Sequence, residues 1–131
     1  MISKFKVGDK KTFSRVVSAE DVAKFESGTV HEVYATFALA RDAEWCSRLF
    51  ALEMKKEDEE GIGTFVNVKH LSPAFIGETV SFEAIIEELK NNEIYCSVNA
   101  KVGERIIAEG RTGQKIFRKE KLNQIFDSLK R

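Results

Sequence analysis

The sequence predicts an α+β fold in which one long central helix is wrapped by a curved antiparallel β-sheet. Residues 37–54 carry apolar side chains at helical spacing over almost the whole segment. After residue 61, four segments alternate between apolar and polar side chains, which is typical of strands with one buried face. Short turn signals separate these segments, so consecutive strands are expected to be antiparallel neighbours.

The chain opens with a short strand predicted at residues 12–17. Ser18 then offers a helix cap, with Asp21 at the third helical position, so a short helix is expected over residues 19–25. Gly28 ends this segment, and a loop is expected to run through His31.

The main helix is predicted from about Phe37 to Met54. Its apolar stripe consists of Leu39, Ala43, Cys46, Phe50 and Met54, and it is widened by Ala38, Trp45, Leu49 and Leu52. Such a broad stripe indicates a helix that is largely covered by other structure. The charged run at residues 55–60 is interpreted as a solvated exit loop.

Four strands are predicted after this loop, at residues 61–70, 79–89, 93–102 and from 105 to Phe117. In the first of them Ile62, Thr64, Val66, Val68 and His70 are expected on one face. Pro73 and Gly77 interrupt the chain after this strand, Lys90-Asn91-Asn92 is a hairpin signal, and Gly103-Glu104 is a turn. In the tail, Leu122, Ile125, Phe126 and Leu129 share one helical face, which is expected to pack on the sheet or on a neighbouring subunit.

Length and charge limit the classes of function. The 131 residues are expected to form one domain, residues 1–131, with 118–131 as a helical tail. Because the formal net charge is zero, the chain is not expected to bind nucleic acid or an anionic membrane surface by electrostatic attraction. No apolar run approaches the ~20 residues of a membrane span, and the start lacks a signal-peptide segment, so a cytoplasmic location is expected. The two cysteines are expected to stay reduced, and no metal site is expected.

Three polar residues in apolar surroundings point to chemistry. Thr36, Glu44 and His70 supply a hydroxyl, a carboxylate and an imidazole, the groups used to break an ester or thioester. Within one straight helix Thr36 and Glu44 would lie about 12 Å apart. Direct contact therefore requires Thr36 to precede the helix, or the two residues to meet across a subunit boundary.

Each of these residues also has an ordinary structural interpretation. Thr36 is a plausible helix cap. Glu44 could pair with Arg48 or Arg41 on the helix surface. His70 could be a core histidine whose hydrogen bonds are satisfied.

One buried helix and a long antiparallel sheet, in this order and length, resemble the hotdog fold of acyl-CoA thioesterases, in particular the fluoroacetyl-CoA thioesterase-like group. The matching segments are Glu32-Val-Tyr-Ala-Thr36, Glu44-Trp45, Gly63-Thr64, His70, Pro73 and Gly77-Glu-Thr-Val. The Thr-x7-Glu-x25-His spacing agrees with that group without a gap, and a weaker similarity extends from about Val7 to Phe117.

The resemblance implies that Thr36, Glu44 and His70 match the family's catalytic trio, and that Gly63 matches a glycine lining the acyl pocket. It also implies a homodimer or higher homo-oligomer, with sites at the interface between subunits.

Substrate contacts are expected from Gly63, Val30, Tyr34 and Arg111. The aromatic lid of the fluoroacetate-specific enzyme falls at Val30 here, so selectivity for fluoroacetyl groups is not expected. A late arginine of the family falls at Gln114, while Arg111 lies three residues earlier.

The expected function is hydrolysis of a small acyl-CoA to the free acid and CoA. No cofactor is expected, because coenzyme A is part of the substrate. One alternative is a non-catalytic acyl-CoA-binding protein that senses a metabolite. A hotdog hydratase or dehydratase is a weaker alternative, because the chain lacks the closely spaced Asp and His pair that those enzymes place near the central helix.

Overall fold

Five antiparallel strands form one curled sheet in the order β1-β5-β6-β7-β4, and the long helix α1 packs against it. The computed structural model describes residues 1–25 and 28–130, without the side chains of Phe25, Thr29 and Val30. The sheet strands are β1 Lys10–Val16, β4 Glu59–His70, β5 Thr79–Lys90, β6 Glu93–Val102 and β7 Arg105–Arg118. A separate hairpin pairs β2 Val22–Phe25 with β3 Gly28–Tyr34, and the helices are α1 Thr36–Met54 and α2 Lys119–Leu129.

The core lies between α1 and the concave face of the sheet. The predicted helix stripe is confirmed, since all five of its residues are buried: Leu39, Ala43, Cys46, Phe50 and Met54. Alternate residues of β5 and β6 complete the core: Val80, Phe82, Ala84, Ile86, Ile94, Cys96, Val98 and Ala100. The proposed widening of the stripe is wrong at Trp45 and Leu52, which are 40% and 39% exposed.

Both cysteines are free thiols within this core. Cys46 belongs to α1 and Cys96 to β6, and each is buried. Burial raises the pKa of Cys46 to about 11 and that of Cys96 to about 12, because the thiolate loses its hydration. Both thiols therefore stay protonated near neutral pH.

The prediction of a helix over residues 19–25 is wrong beyond its first turn. The Ser18–Asp21 capping box forms as expected, but the 3-10 turn covers only Ala19–Asp21. Val22 is already extended, and its strand pairs with β3, where the sequence predicted a loop through His31. A β-branched residue loses little by leaving a helix, and the hairpin supplies the backbone hydrogen bonds instead.

A bulge in β4 changes which side chains face α1. The pairing of β4 with β7 shifts register between Gly63 and Phe65. Before the bulge Gly61 and Gly63 face α1, while Phe65 lies on the outer surface beside Tyr95, with ring centroids 6.1 Å apart. Ile62 therefore does not share the face of Val66, Val68 and His70, contrary to the simple alternation expected.

The tail folds as expected into a helix that touches the sheet. α2 follows β7 directly and contacts it, with Leu122 buried. Its other apolar residues, Ile125, Phe126 and Leu129, are exposed in the single chain. Within residues 1–25 and 28–130, neither helix has the length and apolar character needed to cross a membrane.

Candidate functional site

Thr36 and His70 are in direct contact. Thr36 is the first residue of α1 and His70 the last residue of β4. Thr36 Oγ1 lies 3.0 Å from His70 Nδ1, a normal hydrogen-bond distance. The helix cap is Ala35 and no side chain caps α1, so the interpretation of Thr36 as a capping residue is wrong.

Backbone hydrogen bonds hold the segments that carry the two residues together. Tyr34 N donates to Ala74 O at 2.8 Å, which ties the start of α1 to the loop that follows His70. Ala35 N donates to Asp21 O at 2.8 Å and fixes the same corner from the other side. The contact between Thr36 and His70 therefore follows from the main-chain geometry around it.

The start of α1 presents backbone N–H groups without helical acceptors. The first intrahelical bond runs from Leu39 N to Ala35 O, so Thr36, Phe37 and Ala38 have no acceptor inside the helix. An alanine at the cap position supplies no side-chain oxygen to them. These donors, at the positive end of the helix dipole, can stabilise a negatively charged oxygen beside Thr36.

The environment of His70 favours a neutral imidazole. Burial lowers its pKa below the usual 6.5, and a backbone contact with Ser72 offsets part of this effect. Its buried Nε2 has no hydrogen-bond partner among the described residues. A neutral ring whose Nδ1 faces the Thr36 hydroxyl can accept the proton of that hydroxyl.

A shallow cavity of mixed polarity opens at this pair. Its volume is about 380 Å³, and it is lined by Val33, Thr36, His70, Leu71, Ser72 and Pro73. A second cavity of about 480 Å³ shares Val33 and includes His31, Phe75 and Ile76. Together they form a surface of mixed polarity beside the Thr36 hydroxyl. Its apolar side chains can contact an acyl or pantetheine chain.

Glu44 lies elsewhere, beside Gly63. It forms neither of the ion pairs considered from the sequence. Arg48 Nη1 donates instead to Gly61 O at 2.7 Å, and Arg41 binds Asp21 and Asp42.

Gly63 leaves room for the Glu44 side chain. Glu44 Oε1 fills the space that a Cβ at Gly63 would take, and Gln114 Nε2 lies 3.5 Å from the same point. Any side chain at position 63 would therefore displace the carboxylate.

One chain does not bring all three predicted catalytic residues together. Thr36 and Glu44 both belong to α1 and are eight residues apart, a separation of about 12 Å along the helix axis. The described chain thus holds the predicted site residues in two separate groups (half-sites), one with Thr36 and His70, the other with Glu44 and Gly63.

The four residues that were expected to contact substrate do not lie together in the described chain. Gly63 adjoins Glu44, while the side chain of Val30 lies outside the described part of the chain. Tyr34 is 1% exposed and its hydroxyl donates to Asp42, so its polar group already has a partner in the core. Arg111 is 54% exposed on the outer face of the sheet and pairs with Glu87 at 3.3 Å.

A buried ionic cluster near the start of α1 was not predicted. Asp42 accepts hydrogen bonds from Tyr34, Arg15 and Arg41. Burial alone would raise the pKa of Asp42, but the bonds from Arg41, Arg15 and Tyr34 outweigh it and hold the pKa below its usual value. The sequence did offer one sign that Asp42 is buried, because it lies on the apolar stripe of the helix between Leu39 and Cys46.

The chain is similar to known thioesterases in sequence and in structure. Residues 17–120 match the family model of fluoroacetyl-CoA-specific thioesterase. A hypothetical protein of Thermus thermophilus, a thioesterase superfamily member, is 35% identical; the match covers 98% of this chain and 96% of that chain, with a TM-score of 0.92.

Two more distant structures share the fold. The fluoroacetyl-CoA thioesterase is 21% identical over 97% of this chain and 98% of that one, with a TM-score of 0.87. A hot-dog-like protein from Thermanaerovibrio acidaminovorans is 19% identical over 95% and 93%, with a TM-score of 0.85. The expected hotdog fold is confirmed. No curated protein sequence matches the chain.

Proposed function

The chain belongs to the fluoroacetyl-CoA-specific thioesterase family, and from this premise we propose that it hydrolyses a small acyl-CoA in a site shared by two copies of itself. Thioester hydrolysis is the activity of that family. The observation that carries the proposal for this chain is the 3.0 Å contact between the Thr36 hydroxyl and His70, beside the unpaired N–H groups of α1.

In the proposed reaction His70 Nδ1 takes the proton of the Thr36 hydroxyl as Oγ1 attacks the thioester carbonyl. The carbonyl oxygen becomes negatively charged and is stabilised by the N–H groups at the start of α1. The C–S bond then breaks, and the proton on His70 passes to the departing CoA sulfur. Water, deprotonated by His70 in turn, attacks the carbonyl of the acyl-Thr36 ester. The bond to Thr36 Oγ1 breaks, the acid leaves, and His70 returns the proton to Oγ1.

Glu44 is proposed to reach this centre from a second copy of the chain. β4 is an edge strand of the sheet, so its outer backbone groups are free to pair with another strand. Antiparallel pairing of two β4 strands about a two-fold axis between Val66 and Asn67 would place Gly63 of one strand opposite His70 of the other. Glu44 would then orient or activate the water that attacks the acyl-Thr36 ester. In the alternative reaction Glu44 is the nucleophile, and Thr36 positions the carbonyl instead of attacking it.

The proposed substrate is a CoA thioester with a small acyl group. Structures of fluoroacetyl-CoA thioesterase variants contain fluoroacetate with CoA, or acetyl-CoA, and we propose the same ligand class here. No cofactor is proposed, because residues supply all proton transfers. The buried free thiols of Cys46 and Cys96 are compatible with the reducing cytoplasm, which is the proposed location.

The test is release of free CoA thiol from short, branched and aromatic acyl-CoAs. Wild type should release thiol, while Thr36→Ala, Glu44→Ala and His70→Ala should each lose most turnover and remain folded. If the three variants keep wild-type turnover, the proposed site is wrong.

The same assay separates the alternatives. Tight binding and thermal stabilisation by acyl-CoA without thiol release would indicate a metabolite sensor. A change in the acyl double bond without thiol release would indicate a hydratase or dehydratase.

A further inference from the structure

Gln114 is a buried amide to which no described residue gives a hydrogen bond. The residue lies in β7, paired with Gly63 of β4 and Ile94 of β6, and is 1% exposed. Neither its Nε2 nor its Oε1 has a partner among the described residues. The neighbouring buried hydroxyl of Thr112 behaves differently, since it donates to Ser47 Oγ at 2.6 Å.

An unpartnered amide in this position is costly unless something else binds it. Folding removes the amide from water and returns no hydrogen bond, whereas leucine or methionine would fill the same space at no such cost. Gln114 therefore resembles a group retained for an external ligand.

The surroundings of the amide indicate where that ligand enters. Gln114 Nε2 and the Glu44 carboxylate both adjoin the space above Gly63 that a side chain would otherwise fill. No described residue gives Glu44 a hydrogen bond or ion pair, so no polar contact within the described chain holds it over Gly63. When Glu44 turns toward the reacting thioester, it leaves the space above Gly63. The amide of Gln114 then lines the bottom of this space.

We propose that Gln114 binds a hydroxyl group on the acyl chain, which makes hydroxyacyl-CoA thioesters the preferred substrates. This inference rests on the proposed function, because it assumes that the acyl group enters beside Gly63.

The Gln114 amide favours a neutral hydroxyl over other substituents on the acyl chain. An amide offers one acceptor and two donors, so a hydroxyl can donate to Oε1 and accept from Nε2 at the same time. A carboxylate on the acyl chain would be repelled by Glu44. A methyl group would leave the amide unpaired, as it is in the free chain.

Binding of two matched thioethers tests the proposal without turnover. S-(3-hydroxybutyl)-CoA and S-(3-methylbutyl)-CoA differ only by a hydroxyl in place of a methyl group. Titration calorimetry should give a Kd about tenfold lower for the hydroxylated compound with wild type. In Gln114→Leu, and in Gln114→Met as a second variant, the ratio of the Kd of S-(3-methylbutyl)-CoA to that of S-(3-hydroxybutyl)-CoA should fall below threefold.

Thr112→Val is the matched control, because it alters a buried polar residue two positions away on β7 and leaves Gln114 intact. It should keep the wild-type ratio. Gln114→Leu should also raise the Tm, since it removes two unpaired polar atoms from the core. Three results would each overturn the proposal. They are a Kd ratio below threefold in wild type, a Kd ratio above threefold in both Gln114 variants, and a Kd ratio below threefold in Thr112→Val.

Failure of the proposed function gives a different result. In that case wild type releases no thiol from 3-hydroxybutyryl-CoA or 3-methylbutyryl-CoA, even if the thioether preference is present.

Discussion

At the scale of single residues, the Thr36 hydroxyl has one polar partner within the described part of the chain, His70 Nδ1. Thr36→Ala removes the group that His70 can deprotonate, and we expect kcat to fall by about 10²–10⁴-fold. Thr36→Ser keeps the hydroxyl and should retain most of the activity. Thiol release measures both variants, and the exposed Thr79→Ala on β5 is the control. Equal rates for Thr36→Ala and Thr79→Ala would contradict the assigned role.

The neutral state of His70 predicts a pH profile. Burial lowers its pKa below 6.5, and only the neutral ring can accept a proton. We expect kcat/KM to fall as the pH drops and His70 becomes protonated, with a midpoint below 6.5. A midpoint above 6.5 would exclude the neutral imidazole as the base.

The same shift affects the free energy of unfolding. Because the unfolded chain binds the His70 proton at higher pH than the folded chain, stability falls as pH drops from 6.5 toward the lowered pKa. Urea titrations at pH 7 and pH 5 should therefore show a smaller loss for His70→Asn than for wild type. An equal loss in both proteins would mean that His70 titrates alike in the folded and unfolded chains.

Gly63 permits a test that separates activity from stability. In Gly63→Ala the new Cβ overlaps Glu44 Oε1, which is the free end of a side chain and can move aside. We expect the unfolding free energy to change by less than about 1 kcal/mol, while turnover falls because the new methyl group fills the space beside Gly63 that the acyl group is proposed to enter. Chemical denaturation and thiol release measure the two effects. Unchanged turnover would show that the space beside Gly63 is not part of the acyl site.

At the scale of elements, the start of α1 is fixed by the buried Asp42 and its partners. Tyr34→Phe removes one hydrogen bond to this carboxylate, and we expect the unfolding free energy to fall by about 1.5–3 kcal/mol. Tyr95→Phe, on the outer face of the sheet, is the matched control and should change it by less than about 0.5 kcal/mol. Urea unfolding measures both, and equal effects would show that the Tyr34 hydroxyl adds nothing to the cluster.

Local patterns predicted the long elements better than the short ones. The stripe of α1 and the alternation of β5 and β6 are long enough to fix their type, and both are confirmed. Residues 22–25 are too few to distinguish a helix from a strand, and pairing with β3 decides the outcome. The bulge at Thr64 depends on cross-strand register, which no single strand encodes.

At the scale of the whole molecule, the separation of Glu44 from Thr36 predicts complementation between inactive variants. If sites are shared, a Thr36→Ala chain and a Glu44→Ala chain can together form one intact site. Mixing the two proteins under conditions of subunit exchange should restore about a quarter of wild-type activity, since about half the dimers are mixed and each has one good site.

A site contained within one chain gives no such recovery, because each chain then lacks one residue. Mixing Thr36→Ala with His70→Ala is the control. Both residues belong to the same half-site in one chain, so this mixture should stay inactive under either arrangement.

The fold class followed from sequence because one buried helix and an antiparallel sheet leave few arrangements. The site followed only in part. Sequence patterns indicated Thr36, Glu44 and His70 as polar residues in apolar surroundings, but the contact of Thr36 with His70 depends on how two distant segments dock. The resemblance indicated Gln114 only as the position of a family arginine, and only the folded chain reveals that its amide has no partner among the described residues.

The protonated, inaccessible thiols of Cys46 and Cys96 have a practical consequence at the bench. A colorimetric disulfide reagent such as Ellman's reacts with exposed thiolates, so the native protein contributes almost no background colour. Any absorbance then comes from liberated coenzyme. Denaturation would uncover two reactive sulfurs per chain, so the same cuvette also reports when a variant has lost its structure.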